Sequence, residues 1–182
     1  MIMSHLACAD QPQHEKNRTQ LALFSSVLAQ FPSVPASLAN SAATMTAREM
    51  HFQMVRPGIA LYGGRAVNGR RNPMLPAVLL EAPILQVREC KTGESVGYGA
   101  TYTLSRDSRI AIIGMGYADS FLRATSGTNQ HPGGRVFVRG QFAPVVGRVS
   151  MDMFEVDVTD LHNDIPVPGE MVEVLGPHVS VD

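Results

Sequence analysis

Six short apolar runs occupy the C-terminal two thirds of this chain, and no helical stripe separates them. They are Ala77 to Arg88, Arg109 to Met115, Arg135 to Arg139, Ala143 to Val149, Met151 to Val158 and Glu170 to Leu175. Turn residues such as Lys91-Thr92-Gly93-Glu94 and Pro168-Gly169-Glu170 punctuate them. Successive strands joined this way bury an apolar face only by closing into a barrel or packing sheet on sheet, so an antiparallel barrel or sandwich is predicted. Met151 to Val158 interleaves Met151, Met153, Phe154, Val156 and Val158 with Asp152, Glu155 and Asp157. That is close to the alternation of a half-buried strand.

The N-terminal part reads differently. Leu21, Phe24, Val27 and Leu28, with Phe31 just beyond, make a helical stripe over Thr19 to Gln30, and Phe31-Pro32-Ser33 ends it. Ala36 to Ala42 reads as a short strand ending at Asn40 and Ser41. Met45 to Met50 reads as a short helix capped by Thr44 or Thr46. Val55 to Tyr62 is apolar again around Arg56, Pro57 and Gly58. This order suggests an α/β layer. Gly63 to Asn72 is polar and glycine-rich and reads as a linker or exposed loop.

Composition removes several functions. A hydrophobic fraction of 45% with 17% charged residues describes a soluble globular protein. A net charge of -1 gives no support for a nucleic-acid or anionic-membrane surface. No apolar run is long enough to span a bilayer, and the N-terminus lacks the regions of a signal peptide. Cys8 and Cys90 are too few for a disulfide framework or a zinc site, and a reducing, cytoplasmic location is expected. No metal is expected.

One strand carries candidate chemistry. Ile110, Ile112 and Ile113 read as a core strand that ends in Gly114 and Gly116, followed at once by Tyr117 and Asp119. The glycines permit a close approach or a sharp turn. A tyrosine at a strand end is either an acid–base group or a core residue with its hydroxyl satisfied, and the segment alone favours the core reading.

Four groups of segments together carry a resemblance. The first is Met3-Ser4-His5-Leu6-Ala7-Cys8-Ala9-Asp10, and the second is Ser37-Leu38-Ala39-Asn40-Ser41-Ala42. The third is Val55-Arg56-Pro57-Gly58-Ile59-Ala60-Leu61-Tyr62-Gly63. The fourth comprises Val96 to Tyr102, Gly116-Tyr117-Ala118-Asp119 and Val146-Gly147-Arg148-Val149-Ser150-Met151-Asp152. In this order and spacing the chain resembles the bacterial alanine racemases. The resemblance implies an α+β fragment: residues 1–63 as late strands and helices of a (β/α)₈ barrel that binds pyridoxal 5′-phosphate (PLP), and residues 73–182 as an all-β, antiparallel, barrel-like domain. It implies a homodimer in which the β domain of a second subunit completes the site. It also implies interconversion of L- and D-alanine by two bases, with D-alanine supplied to peptidoglycan.

The roles implied by the resemblance fall on named residues. Tyr117 matches the base on one face, and His5 and Arg56 match the residues that support it, from the opposite subunit. Arg56 also matches the arginine facing the pyridine nitrogen of the cofactor. Ser41, Gly58 and Ile59 match phosphate-binding positions. Met151 matches a residue that meets the substrate through its backbone. Without the resemblance, His5 reads as a core histidine, Arg56 as a surface ion-pair partner, Asn40-Ser41 as a strand-end cap and Met151 as core filler.

The resemblance covers roughly the second half of the family pattern. The segment of type Val-Lys-Ala-Asn-Ala-Tyr-Gly, whose lysine holds the cofactor, has no counterpart. Lys16 and Lys91, the chain's two lysines, read as solvated. An early substrate-carboxylate arginine and a late phosphate-binding tyrosine have none either. A partial gene or remnant, inactive alone and weakly stable over residues 1–63, is therefore expected. Ser120 stands where the family has glycine. The competing expectation is a non-catalytic β domain that serves as an interaction module or requires a complementary N-terminal half. A β-barrel nucleic-acid binder is disfavoured by charge and by the few aromatic residues.

Overall fold

A computed structural model describes residues 1–161 and 165–182. The chain forms two compact units, Met1–Val78 with Ser180–Asp182, and Leu79–Val179.

In the first unit, strand β1 (Ile2–Met3) pairs parallel with β2 (Ala36–Ser37), Ile2 opposite Ala36 and Met3 opposite Ser37. The connection between them carries helix α1 (Glu15–Leu28), because parallel neighbours need a crossover. A further parallel bridge joins Asn40 to Arg56. Helix α1 starts earlier than its stripe suggests, because His14 Nδ1 accepts the Lys16 N–H and caps it. Phe24 is its one buried apolar side chain, and it meets Phe52 edge-on at 5.3 Å. Val27 and Phe31, expected on the same face, are exposed.

Two expectations here are corrected. The strand stops at Ser37, and Ser41 to Ala42 open helix α2 (Ser41–Thr46). Its cap is Asn40, whose Oδ1 accepts the Ala43 N–H at 3.1 Å. Thr44 and Thr46 bond back to carbonyls inside the helix instead. The glycine-rich segment 63–72 is also not a bare linker. Ala66 and Val67 are buried with Leu6, Ala9, Leu38 and Met50, and Asn68 bonds both the backbone and the carboxylate of Asp10.

The second unit contains β3 (Leu80–Cys90), β6 (Ser108–Ile113), β7 (Arg135–Val138), β8 (Gln141–Val146), β9 (Phe154–Asp157) and β10 (Met171–Leu175). These six strands close into an antiparallel barrel in the order β10-β3-β6-β9-β8-β7. Strand β3 pairs its first half with β10 and its second with β6, across an irregularity between Ile84 and Gln86. Closure leaves no open edge among these strands. Ile84, Ile113, Val136, Val145, Phe154 and Val172 fill the interior, each 1% exposed or less. Phe121 stacks on Phe154 at 4.1 Å.

A small hairpin, β4 (Ser95–Val96) with β5 (Tyr102–Thr103), was not legible as strands because each is two residues long. It packs Val96 and Leu104 on Ile110 and Val146. Ile112, expected in the core with Ile110 and Ile113, is only half-buried. The strand expected from Met151 begins at Phe154, because Ser150 turns back and bonds the Met153 carbonyl through both N–H and Oγ.

Candidate active site

The first unit gathers five of the expected residues around one cavity of about 430 Å³: His5, Ser41, Arg56, Gly58 and Ile59. The parallel bridge to Asn40 fixes the backbone of Arg56, whose N–H donates to the Ala39 carbonyl at 2.9 Å. Its guanidinium donates to the Ser4 carbonyl at 2.7 Å, to Ser37 Oγ, and to His5 Nδ1 at 3.3 Å. Arginine has no acceptor, so His5 Nδ1 accepts in this contact and a neutral His5 carries its proton on Nε2. The Ser37 hydroxyl in turn donates to the Met54 carbonyl at 2.8 Å. All partners of Arg56 are neutral when His5 is, so among the described residues no carboxylate pairs with it directly. The surface ion-pair reading of Arg56 does not hold. His5 is exposed, so the core-histidine reading does not hold either.

Ser41 is 6% exposed and opens α2, so its position is set by the Asn40 cap. Its Oγ accepts the Gly58 N–H at 2.8 Å and the Ala60 N–H at 3.4 Å. Used as an acceptor, the hydroxyl keeps its own hydrogen to donate. The Ile59 N–H has no acceptor among the described residues. A Cβ placed on Gly58 would meet nothing within 4 Å. The Ser41 hydroxyl and the Ile59 N–H are thus the free donors of a small neutral cradle beside the cationic Arg56, whereas the Gly58 N–H is already spent on Ser41.

Tyr117 and Met151 belong to the second unit and are neighbours there. The chain leaves β6 at Ile113, and Tyr117–Asp119 form a single 3₁₀ turn. The Tyr117 N–H donates to the Ser150 carbonyl at 3.0 Å, and the Ala118 N–H to the Met151 carbonyl at 2.9 Å. Asp119 Oδ2 accepts the Gly116 N–H at 3.0 Å and closes the turn. A Cβ on Gly116 would lie 2.2 Å from the Met151 oxygen, so glycine is needed for backbone to pass backbone. Tyr117 is 41% exposed, which overturns the core-tyrosine reading. Its ring lies under the Arg123 guanidinium at 5.4 Å. Met151 is 52% exposed, not core filler.

Beside Met151 a cavity of about 390 Å³ is lined by Tyr98, Asp152 and Glu155. Burial pushes the Glu155 carboxyl above its ordinary pKa, and its Oε2 has no hydrogen-bond partner among the described residues. Sequence reasoning missed Ser37 and Arg123. Ser37 sits within a quoted segment, but nothing in its side chain marks it as a ligand of an arginine nineteen positions away.

The chain is similar to known proteins in sequence and in fold. A model described as "Alanine racemase, N-terminal domain" matches residues 1–66, and one described as "Alanine racemase, C-terminal domain" matches residues 77–182. The alanine racemase of Rhodospirillum rubrum is 48% identical over all of this chain, which covers 47% of that protein. That of Rhizobium meliloti is 47% identical, with 100% of this chain and 50% of the relative covered. Among solved structures, the alanine racemase of Bartonella henselae with covalently bound pyridoxal phosphate superposes with a TM-score of 0.84 at 41% identity. That match covers 97% of this chain and 48% of the other. The biosynthetic enzyme of Pseudomonas aeruginosa gives a TM-score of 0.83 at 40% identity, covering 99% and 49%. The chain thus spans about half the length of the curated relatives it matches, and it belongs to the alanine racemase family.

Proposed function

We propose that this chain supplies one of the two bases, and part of the cofactor cradle, of a PLP-dependent alanine racemase. The observation that carries the reading is the single cavity that brings Ser41, Gly58 and Ile59 together with Arg56 and His5. The residues fit the cofactor. Open space over Gly58, the spare hydrogen of Ser41 and the unpaired Ile59 N–H suit a phosphate. Arg56 suits a ring nitrogen that accepts a hydrogen bond.

PLP, when bound, draws electron density from the substrate Cα and so acidifies its proton. Arg56 stays protonated, so it donates a hydrogen bond without giving up its proton and tempers that withdrawal. Tyr117 Oη takes or returns the proton on one face, and the Met151 backbone orients the substrate beside it. His5 and Arg56 of a second copy support the phenolate, which makes the active species a homodimer. The first unit is then the late part of a (β/α)₈ barrel and the second the family's β domain. The product D-alanine would serve peptidoglycan synthesis in the cytoplasm. Among the described residues no helix is long and apolar enough to cross a membrane.

The lysine for the opposite face has to come from outside these residues. Lys91 pairs with Asp107 at 2.8 Å in the second unit, and Lys16 lies exposed on α1. Neither lines the cavity. The test is co-expression with the N-terminal half of the Rhodospirillum rubrum relative. The assembled complex should bind PLP and form D-alanine from L-alanine, and the chain alone should not. A complex whose Tyr117→Phe variant racemises at the unchanged rate would remove the assignment.

A further inference from the structure

We propose that Ser37 is the positioning residue of Arg56. Its buried hydroxyl clamps the backbone of the segment that carries Arg56 and the guanidinium at once, and so fixes which N–H groups of that guanidinium are left for the cavity. The clamp stands on contacts within the first unit, and its consequence for the reaction rests on the racemase reading above.

Ser37 is 0% exposed and does not line the cavity of Arg56, so it does not touch a ligand there. A hydroxyl buried to that degree is stable only with its donor and acceptor roles filled. Its single hydrogen goes to the Met54 carbonyl at 2.8 Å. The oxygen is then the acceptor toward Arg56 Nη1. Met54 and Arg56 belong to one short segment, so the same atom holds the root and the tip of the arginine arm. The backbone of Ser37 fixes the second anchor. Its carbonyl accepts the Ser4 N–H at 3.1 Å, and the Ser4 carbonyl accepts Arg56 Nη2 at 2.7 Å. Ala36, next to Ser37, secures the start of the segment. Its N–H donates to Gln53 Oε1 at 2.9 Å, and its carbonyl accepts the Gln53 N–H at 3.2 Å.

Counting donors shows what the clamp leaves over. A guanidinium has five N–H groups. One on Nη1 is taken by Ser37, and both on Nη2 by Ser4 and His5. The Nε–H and one Nη1–H stay free among the described residues, on a side chain that lines the cavity. Without the Ser37 hydroxyl the Nη1 edge has no acceptor, and the group turns about its Nε–Cζ bond once the Nη2 bonds break. A neutral hydroxyl holds the arginine without countering its charge, as a carboxylate in the same place would.

The experiment has two readouts. In the isotope-labelled full chain without cofactor, NMR at the Arg56 guanidinium measures how fast Nη1 and Nη2 exchange by that rotation. Ser37→Ala should speed the exchange roughly 10- to 100-fold, the range of one lost hydrogen bond to a charged group. Ser37→Cys, close in size but a weaker acceptor, should act in the same direction. Ser37→Thr keeps the hydroxyl and should restore slow exchange. Circular dichroism checks that each variant is folded. In the complex co-expressed with the N-terminal half, Ser37→Ala should lower kcat roughly tenfold and leave KM for alanine within about twofold, because Ser37 meets no part of the cavity. Exchange that stays slow in folded Ser37→Ala and Ser37→Cys chains overturns the clamp, as does fast exchange in a folded Ser37→Thr chain. Faster exchange with kcat unchanged overturns its part in the reaction. A complex that binds no PLP with Ser37 intact would remove the racemase reading instead, and the exchange rates then decide the clamp alone.

Discussion

Gly116→Ala is expected to break the link between Tyr117 and Met151, and its cost follows from the geometry. The new Cβ would sit 2.2 Å from the Met151 oxygen, 2.3 Å from its carbonyl carbon and 2.5 Å from the Asp152 nitrogen. Ordinary contact begins at 3.4 Å, so the shortfall exceeds 1 Å, and every obstructing atom is backbone. No rotamer relieves it, so the 3₁₀ turn has to move away from residues 150–152. Moving it stretches the Tyr117 bond to Ser150 and the Ala118 bond to Met151. Each such bond contributes about 0.5–1.5 kcal/mol net, and overpacking strain adds about 1–3 kcal/mol. A loss of about 2–6 kcal/mol is therefore expected in urea unfolding followed by circular dichroism. The control lies two residues away. The three atoms nearest a Cβ on Gly114 all belong to the side chain of Leu85, the first at 3.0 Å, and Leu85 is half-exposed and can rotate. Gly114→Ala should cost under about 1 kcal/mol. In the co-expressed complex, a Tyr117 displaced by about 1 Å should lower kcat by roughly 100-fold. If the two alanine variants unfold within about 0.5 kcal/mol of each other, the argument that Gly116 exists for backbone approach is wrong.

Three other outcomes are expected. Glu173, 8% exposed, accepts the N–H groups of His178 and Val179 and the His178 ring nitrogen. Burial alone would raise its carboxyl pKa, but these bonds outweigh it and hold it below the ordinary value. The stability it contributes is present above the unfolded value of about 4.3 and is lost as pH falls through the folded value. Glu173→Gln should cost about 1–2 kcal/mol at neutral pH and flatten the acid limb of a stability–pH curve. Ser120 adopts φ +72°, a left-handed conformation that glycine enters without strain. Ser120→Gly should be neutral or stabilising by up to about 1 kcal/mol in the same urea assay, and a clear loss would contradict the strain. Ser41→Ala removes the acceptor of the Gly58 N–H and the spare hydroxyl hydrogen. It should weaken PLP binding by the co-expressed complex roughly tenfold, measured by fluorescence titration.

Much of this molecule is set by local patterns that sequence displays. The six barrel strands were legible because each alternates or concentrates apolar residues between turn residues, and that depends on neighbours two to eight positions away. The segments around His5, Ser41, Arg56, Tyr117 and Met151 were legible because their residue types recur in a fixed order in a family. What failed depended on partners distant in the chain. Sequence alone offers threonines as the cap of α2 because Asn40 also fits a strand end, and the bond of Asn40 Oδ1 from the Ala43 N–H decides otherwise. The linker reading of residues 63–72 failed because Ala66 and Val67 find the core of the first unit, a burial that polar neighbours conceal. Strands β4 and β5 were too short to show a period. Only the tertiary structure placed Ser37 and His5 on the guanidinium of Arg56 and Gly116 against the Met151 backbone. Sequence by itself determined the elements and the residue types of the candidate site, since these follow from periodicity and side-chain chemistry. Which donors meet which acceptors was decided by folding, because satisfying buried polar groups is a property of the packed chain.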